Sequence, residues 1–358
     1  MTQKRLGYID ALRGLLILLV LIYHLNSGGE DKVIIIDLCW PFMMPGFFFI
    51  SGFVSYKYQK TWDFKLFIHQ IFHKFRCLII PAVIFFMLYA ICRGTNPFDF
   101  VHDFGGFWFT PELFKIFCIY YCCCLIFRHN SYKLDRALIV ISCIGLLASM
   151  LRSSVMDLPF VNIIIGHISN GKMFGYFALG YFAKKYQDVS DRIIKSDFLN
   201  TLAILIYTIS WFLLLYCEIE VTYPIIGLAI RWVIAPYTGI FIIYSLFFRH
   251  RCFFDTNGRF SHICVVVGRN SLNIYILHYF FLYIHGFSGI PFVRNIIFYC
   301  SNISLQFIGS VIIASMIICM CLLCSKIIQN SHFLDYWLLG GKAKNDSIEI
   351  QDTSIQLP

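Results

Sequence analysis

The chain has 358 residues, of which 59% are apolar, 18% aromatic and only 14% charged. That charge content is about half the ordinary soluble value, too little to cover a water-exposed protein of this length, so most apolar side chains must face lipid or the interior of a membrane bundle. The formal net charge of +9 is accordingly read as an orienting excess of Lys and Arg; nucleic acid is not expected as a partner.

Windows of about 20 apolar residues give ten candidate spans, at 8–26, 33–56, 75–92, 111–127, 137–152, 160–183, 198–217, 223–248, 263–284 and 303–328. The expected fold class is an all-α polytopic membrane protein with about ten transmembrane helices and both termini cytoplasmic. Lys4 and Arg5 precede the first span as they would a signal peptide. Asp10 and Arg13 interrupt its apolar run, however, and no A-x-A-like site follows, so it reads as a retained helix. With the N-terminus inside, the even-numbered loops and both tails carry twenty Lys and Arg, against four (Lys32, Arg93, Arg152 and Arg294) in the opposite loops. A membrane domain over 1–340 is expected, followed by a short, polar, disordered tail over 341–358.

The fifteen cysteines are odd in number and irregularly spaced, which argues against a disulfide framework. Cys321 and Cys324 form a CxxC inside an apolar run with no second pair, so small buried hydrophobes are expected and no metal.

Five basic residues fall within or beside spans: Arg13, Lys115, Lys172, Arg231 and Arg269. A charge at mid-membrane costs at least about 2.5 kcal/mol, so each needs a partner or a water-filled cavity. Lys115, near a helix end, is expected to snorkel. Lys172 follows Gly171 in a polar break, and Arg231 lies between Pro224 and Pro236, as in a broken helix around a site; for both, structural ion pairing is the competing reading.

The first span is the most informative. Arg13 and His24 are eleven residues apart, close to three helical turns, so both lie on one face about 16 Å apart along the axis. Asp10, three residues before Arg13, can pair with it. A cation near one interface and an imidazole near the other suit an anionic donor that enters from inside and reaches deep into the membrane. Histidine can accept a proton from a hydroxyl and return it to a leaving group. A His near an interface is also often simply solvated.

Asp10-x-x-Arg13-Gly14 with His24 eleven residues later resembles the first-helix motif of the integral-membrane acyltransferase family 3. WPFMMPGFFFISGFVSYK, with Met44-Pro45 and Ser51-Gly52-Phe53, is similar to that family's second helix. HKFRCLIIP (His73 to Pro81) resembles the basic cluster opening the third, and FWFTPELF around Trp108 and Pro111 the entry to the fourth. GYFALGYFAKK, near Gly180, and GRNSLNIYILHYFF, from Gly268 through His278, resemble later segments, in the same order.

The resemblance implies transfer of an acyl group, acetyl in the usual case, from cytoplasmic acyl-coenzyme A to a hydroxyl of an envelope polysaccharide or lipid-linked glycan. The location it implies is the bacterial cytoplasmic (inner) membrane. It implies no bound cofactor; acetyl-coenzyme A or another acyl-coenzyme A is donor substrate, and the lipid bilayer surrounds the chain. His24 would be general base or relay, with Arg13 and Asp10 in the same catalytic set. Arg76 and Lys74 would contact the donor, and Ser51, Lys172, Arg231 and His278 are further substrate- or donor-binding candidates. Where the family often has two arginines three apart, this chain has His73 and Arg76, leaving Lys74 to supply the missing charge. Ser51 and Gly52 equally suit close helix packing. Asn270-Ser271 is read as a helix N-cap, and Trp108 as an interfacial anchor. A transporter or flippase for a glycan or acylated small molecule is the rival reading, citing the helix broken around Pro224 and Pro236.

Overall fold

The computed structural model describes residues 6–26, 34–57, 62–99, 104–151, 171–217, 219–255, 258–284 and 302–341. Lys4, Arg5, Lys32, Lys60, Arg152, Arg294 and the tail from Lys342 onward lie outside them. Among the described residues the regular elements are all helical.

The principal helices are α1 (Gly7–Asn26), α2 (Ile34–Ser55), α3 (Phe64–Arg93), α4 (Phe109–Ile126), α5 (Ser131–Leu151), α6 (Lys172–Lys185), α7 (Gln187–Lys195), α8 (Asp197–Tyr216), α9 (Pro224–Arg249), α10 (Arg259–Arg269), α11 (Ser271–Tyr279), α12 (Ile303–Gln329) and α13 (His332–Leu338). By length and composition α1, α2, α3, α8, α9, α12 and the stretch Gly105–Ile126 containing α4 could each cross a membrane. Of the other three expected spans, 137–152 overlaps α5, 263–284 the α10–α11 pair, which is broken at Asn270, and 160–183 is described only from residue 171 onward, as α6. Helix starts are fixed by side chains: Asp63 accepts from the Leu66 N–H at 2.7 Å, and Ser196, Asn302 and Ser331 cap α8, α12 and α13. Asn270 does not cap α11. Its amide donates back to the Val266 carbonyl at 2.9 Å, closing the end of α10.

The central helix is α1, where Leu12, Leu16, Ile17 and Leu21 are at most 1% exposed. It packs on α10 with backbone touching backbone: a Cβ built on Gly268 would lie 1.6 Å from the Asp10 carbonyl oxygen. The α2–α6 contact is equally close, with Gly52 against the Phe177 carbonyl and Gly180 against that of Phe49. Small residues allow such approach where lipid supplies no hydrophobic drive between helices.

Among the described residues there are three π turns, at Phe75–Ile79 in α3, Ile230–Ile234 in α9 and Phe280–Ile284 after α11. The first two precede Pro81 and Pro236. Proline has no N–H and its ring clashes with the carbonyl four residues back, so the wider turn lets the helix continue. For Pro236 that carbonyl belongs to Trp232, and the Tyr176 hydroxyl donates to it at 2.5 Å. The sequence expectation of a broken helix here becomes a single continuous helix with one wide turn.

Two ends of the bundle differ in charge. At the end where α1 begins, Gly7 abuts Phe254 and Asp255, and Arg249 pairs with Asp197. Lys57, Lys65, Lys74, Arg128, Lys133, Lys185 and Arg251, in loops or near helix ends, share that end, while Arg93, Lys115 and Lys172 lie toward the other.

Candidate active site

His24 reaches the far end of α1 and faces a cavity of about 200 Å³ lined by Tyr23, Trp40, Trp108, Trp232 and Tyr279, with Met43, Met44 and Met173. The cavity lies among α1, α2, α6, α9, α11 and the short 3₁₀ turn Gly105–Phe107 that leads into α4. Its walls are thus largely indole and phenol, interrupted by one imidazole.

The His24 Nε2 lies 3.2 Å from the Tyr279 hydroxyl, which is 3.0 Å from the Gly106 carbonyl. The phenol has one proton. When it goes to Gly106, the phenol oxygen accepts from Nε2–H and the ring's basic lone pair is on Nδ1. Tyr279 can come this close to the 3₁₀ turn because residue 106 is glycine: a Cβ there would meet the Tyr279 ring at 2.3 Å. Tyr275, one turn earlier, also donates to Gly106, at 2.8 Å, and accepts from the Phe109 N–H at 3.2 Å.

His278 is fully buried, its ring centroid 5.4 Å from that of His24 and 4.0 Å from that of Tyr279. Its Nδ1–H donates to the Tyr275 carbonyl at 2.6 Å, which assigns the proton to that nitrogen. Its Nε2 is buried without a hydrogen-bond partner among the described residues. The structure thus brings His24 and His278 together from helices more than 250 residues apart.

Lys172 and Arg231 meet the cavity through its tryptophans. The Lys172 ammonium lies 3.3 Å from the Trp232 ring centroid, and the Arg231 guanidinium lies 5.6 Å from that of Trp40 while pairing with Glu220. Of the two readings raised for Arg231, the ion pair is present. Lys115, expected to snorkel, has a half-exposed side chain that pairs with Glu112 at 3.3 Å.

At the other end of α1 the Asp10 carboxylate is buried between two arginines, 3.5 Å from Arg13 Nη1 and 3.1 Å from Arg269 Nε. Arg76 is only 3% exposed; it donates to the Tyr336 carbonyl at 2.6 Å and stacks its guanidinium 3.8 Å from the Tyr336 ring. Lys74 lies over Phe117 at 4.0 Å. The Ser51 hydroxyl donates to its own helix at Phe47, 2.8 Å away, beside the tight Gly52 contact. The candidate residues thus form two groups: His24, His278, Lys172 and Arg231 around the cavity, and Asp10, Arg13, Arg76 and Lys74 toward the basic end.

Sequence reasoning did not select Tyr279, Trp40 or Trp232, and it read Trp108 as an interfacial anchor. Tyr279 directly follows His278, but its meeting with His24 depends on how α11 packs on α1.

The fold and the site together define a helical membrane protein with a histidine facing an aromatic cavity at one end and a cluster of cations at the other. The family model described as an acyltransferase domain matches residues 6–324, nearly the whole membrane portion, and the chain belongs to that family of acyltransferases. Comparison with curated proteins and with solved structures returns no match.

Proposed function

We propose that this protein transfers an acyl group, acetyl in the first instance, from cytoplasmic acyl-coenzyme A to a hydroxyl of an envelope polysaccharide or lipid-linked glycan. The observation that carries the proposal is His24 at the wall of the tryptophan-lined cavity, with Nε2 joined to Tyr279. Indole faces suit the apolar faces of a sugar ring, and the imidazole suits its hydroxyl. In the reaction His24 takes the hydroxyl proton as the oxygen attacks the thioester carbonyl. The C–S bond then breaks, and the proton is returned to the coenzyme A sulfur.

The clustering of cations at one end supports placing that end, with both termini, in the cytoplasm, and so a multi-pass location in a bacterial inner membrane. A donor entering from that end must then carry its acyl group beyond the level of Arg13 and about 16 Å along α1 to reach His24. Asp10, itself paired with Arg269, anchors Arg13.

The test is transfer of labelled acetyl from acetyl-coenzyme A to envelope glycan in membranes containing folded wild type or variants. His24→Ala and His24→Gln should lower transfer by about 10²–10⁴-fold. Undiminished transfer would remove His24 from the chemistry. Wild-type membranes that move unmodified glycan but transfer no acetyl would favour the transport reading.

A further inference from the structure

A second cavity, of about 340 Å³, opens at the basic end of the bundle, where α2, α4, α5 and α6 meet. Its walls include Lys57, Arg128, Lys185, Tyr56, Trp62 and Tyr181. None of these belongs to the His24 cavity or to the Asp10 cluster. Lys185 is already balanced, its ammonium lying 2.6 Å from Asp135 Oδ1 and 2.6 Å from the Ser131 hydroxyl. Tyr186 donates to the same carboxylate at 2.6 Å. Lys57 and Arg128 make no ion pair among the described residues, and both are exposed; Arg128 donates only to the His129 ring at 2.9 Å. The cavity therefore carries uncompensated positive charge at its rim and flat aromatic rings within.

That combination selects a ligand with phosphates attached to a planar group. Arginine engages phosphate through a two-pronged donor and lysine as a point charge, while indole and phenol faces stack on a heteroaromatic base. Beyond the cavity a row of packed aromatic rings extends toward α3. The rings of Trp62 and Tyr121 lie 5.2 Å apart and those of Tyr121 and Phe117 5.6 Å apart, and Lys74 caps Phe117 at 4.0 Å. This row runs from the cavity to α3, beside the buried Arg76.

Resting on the acyl-coenzyme A reading above, we propose that this cavity holds the adenosine 3′-phosphate 5′-diphosphate end of the donor. Lys57 and Arg128 meet its phosphates, and Trp62 stacks on its base. The thioester arm then runs past Lys74 toward the middle of the bundle. An anionic lipid headgroup shares the phosphate chemistry but offers no base to Trp62.

The proposal is tested on the purified full-length protein with three probes: coenzyme A, adenosine 3′,5′-bisphosphate, and phosphatidylglycerol vesicles. Lys57→Ala/Arg128→Ala should weaken both nucleotide probes at least tenfold, and Trp62→Ala should weaken them further than it affects retention of phosphatidylglycerol. Lys57→Arg should keep binding, and Lys326→Ala, remote from the cavity, serves as the folding and charge control. Loss of retained phosphatidylglycerol with unchanged coenzyme A binding would make this a lipid site and overturn the proposal. So would unchanged binding of all three probes. A wild type that binds no coenzyme A would overturn it together with the donor reading, whereas full transfer by His24→Gln would remove only the histidine chemistry.

Discussion

The Tyr279 hydroxyl bridges His24 and the Gly106 carbonyl, at 3.2 Å and 3.0 Å. A base oriented this way has its Nε2 engaged and its ring plane fixed, the service that an outer hydrogen-bond partner renders to a histidine. Tyr279→Phe keeps the ring against His278 and Phe107 but removes the bridge. Expected is a fall in kcat of about tenfold, smaller than the ~10²–10⁴-fold for loss of the base itself, with the donor KM unchanged. Steady-state kinetics in proteoliposomes decide this; an unaltered kcat would make Tyr279 a packing residue only.

Trp40 and Trp232 meet edge to face, 5.7 Å between centroids, on the cavity wall. If a sugar acceptor rests there, Trp232→Ala should raise the acceptor KM about tenfold, corresponding to roughly 1.4 kcal/mol, and leave the donor KM alone. Initial rates with each substrate varied in turn separate the two. A rise confined to the donor KM would reverse the assignment of the cavity.

Asp10 is nearly buried and shared by Arg13 and Arg269, whose side chains are 27% and 45% exposed. Exposure of the arginines moderates the cost of losing the carboxylate, so Asp10→Asn should destabilise by about 1–2 kcal/mol. Thermal unfolding of purified Asp10→Asn, Arg269→Gln and the double variant gives the coupling. The double variant should lose less than the sum of the singles, and strict additivity would mean the pair does not interact.

Gly268 and Gly94 make a matched contrast. Adding a methyl at Gly268 drives it into the Asp10 backbone and must separate α1 from α10, at a cost of about 1–3 kcal/mol or more. At Gly94, which ends α3 with φ +68°, nothing lies within 4 Å, so Ala meets backbone strain alone, about 1 kcal/mol. Fluorescence size-exclusion profiles after graded heating should show Gly268→Ala collapsing well before Gly94→Ala. Equal profiles would mean the α1–α10 contact yields more easily than its geometry implies.

What the sequence disclosed was whatever depends on one helix. The relative placement of Asp10, Arg13 and His24 along α1 could be read from their spacing because an α-helix fixes side-chain direction over a few turns, and apolar run length marked the spans. What it concealed depends on two helices meeting. Nothing near Arg76 announces Tyr336, 260 positions away. Asn270 looked like a cap because its side chain favours that role, yet the Val266 carbonyl competes for the same amide. Trp108 has the composition of a membrane-interface residue, and only the placement of the 3₁₀ turn beside α2 and α11 puts it on the cavity wall. Pro236 marked an interruption, but whether a helix breaks or widens is decided by whether a group such as Tyr176 can take up the released carbonyl.

The three wide turns also set the phase of the helices that contain them. Each residue of an α-helix advances the face by about 100°, so the extra residue held in a π turn determines which side of the helix everything beyond it presents. Beyond the turn at Phe75–Ile79, α3 directs Phe86 onto Phe107 and Tyr89 onto Tyr279, at 6.2 and 5.9 Å between centroids. Removing one residue there would yield a more regular helix and at the same time rotate those rings away from the partner of His24. Such segments should therefore accept changes of side chain far more readily than any change of length.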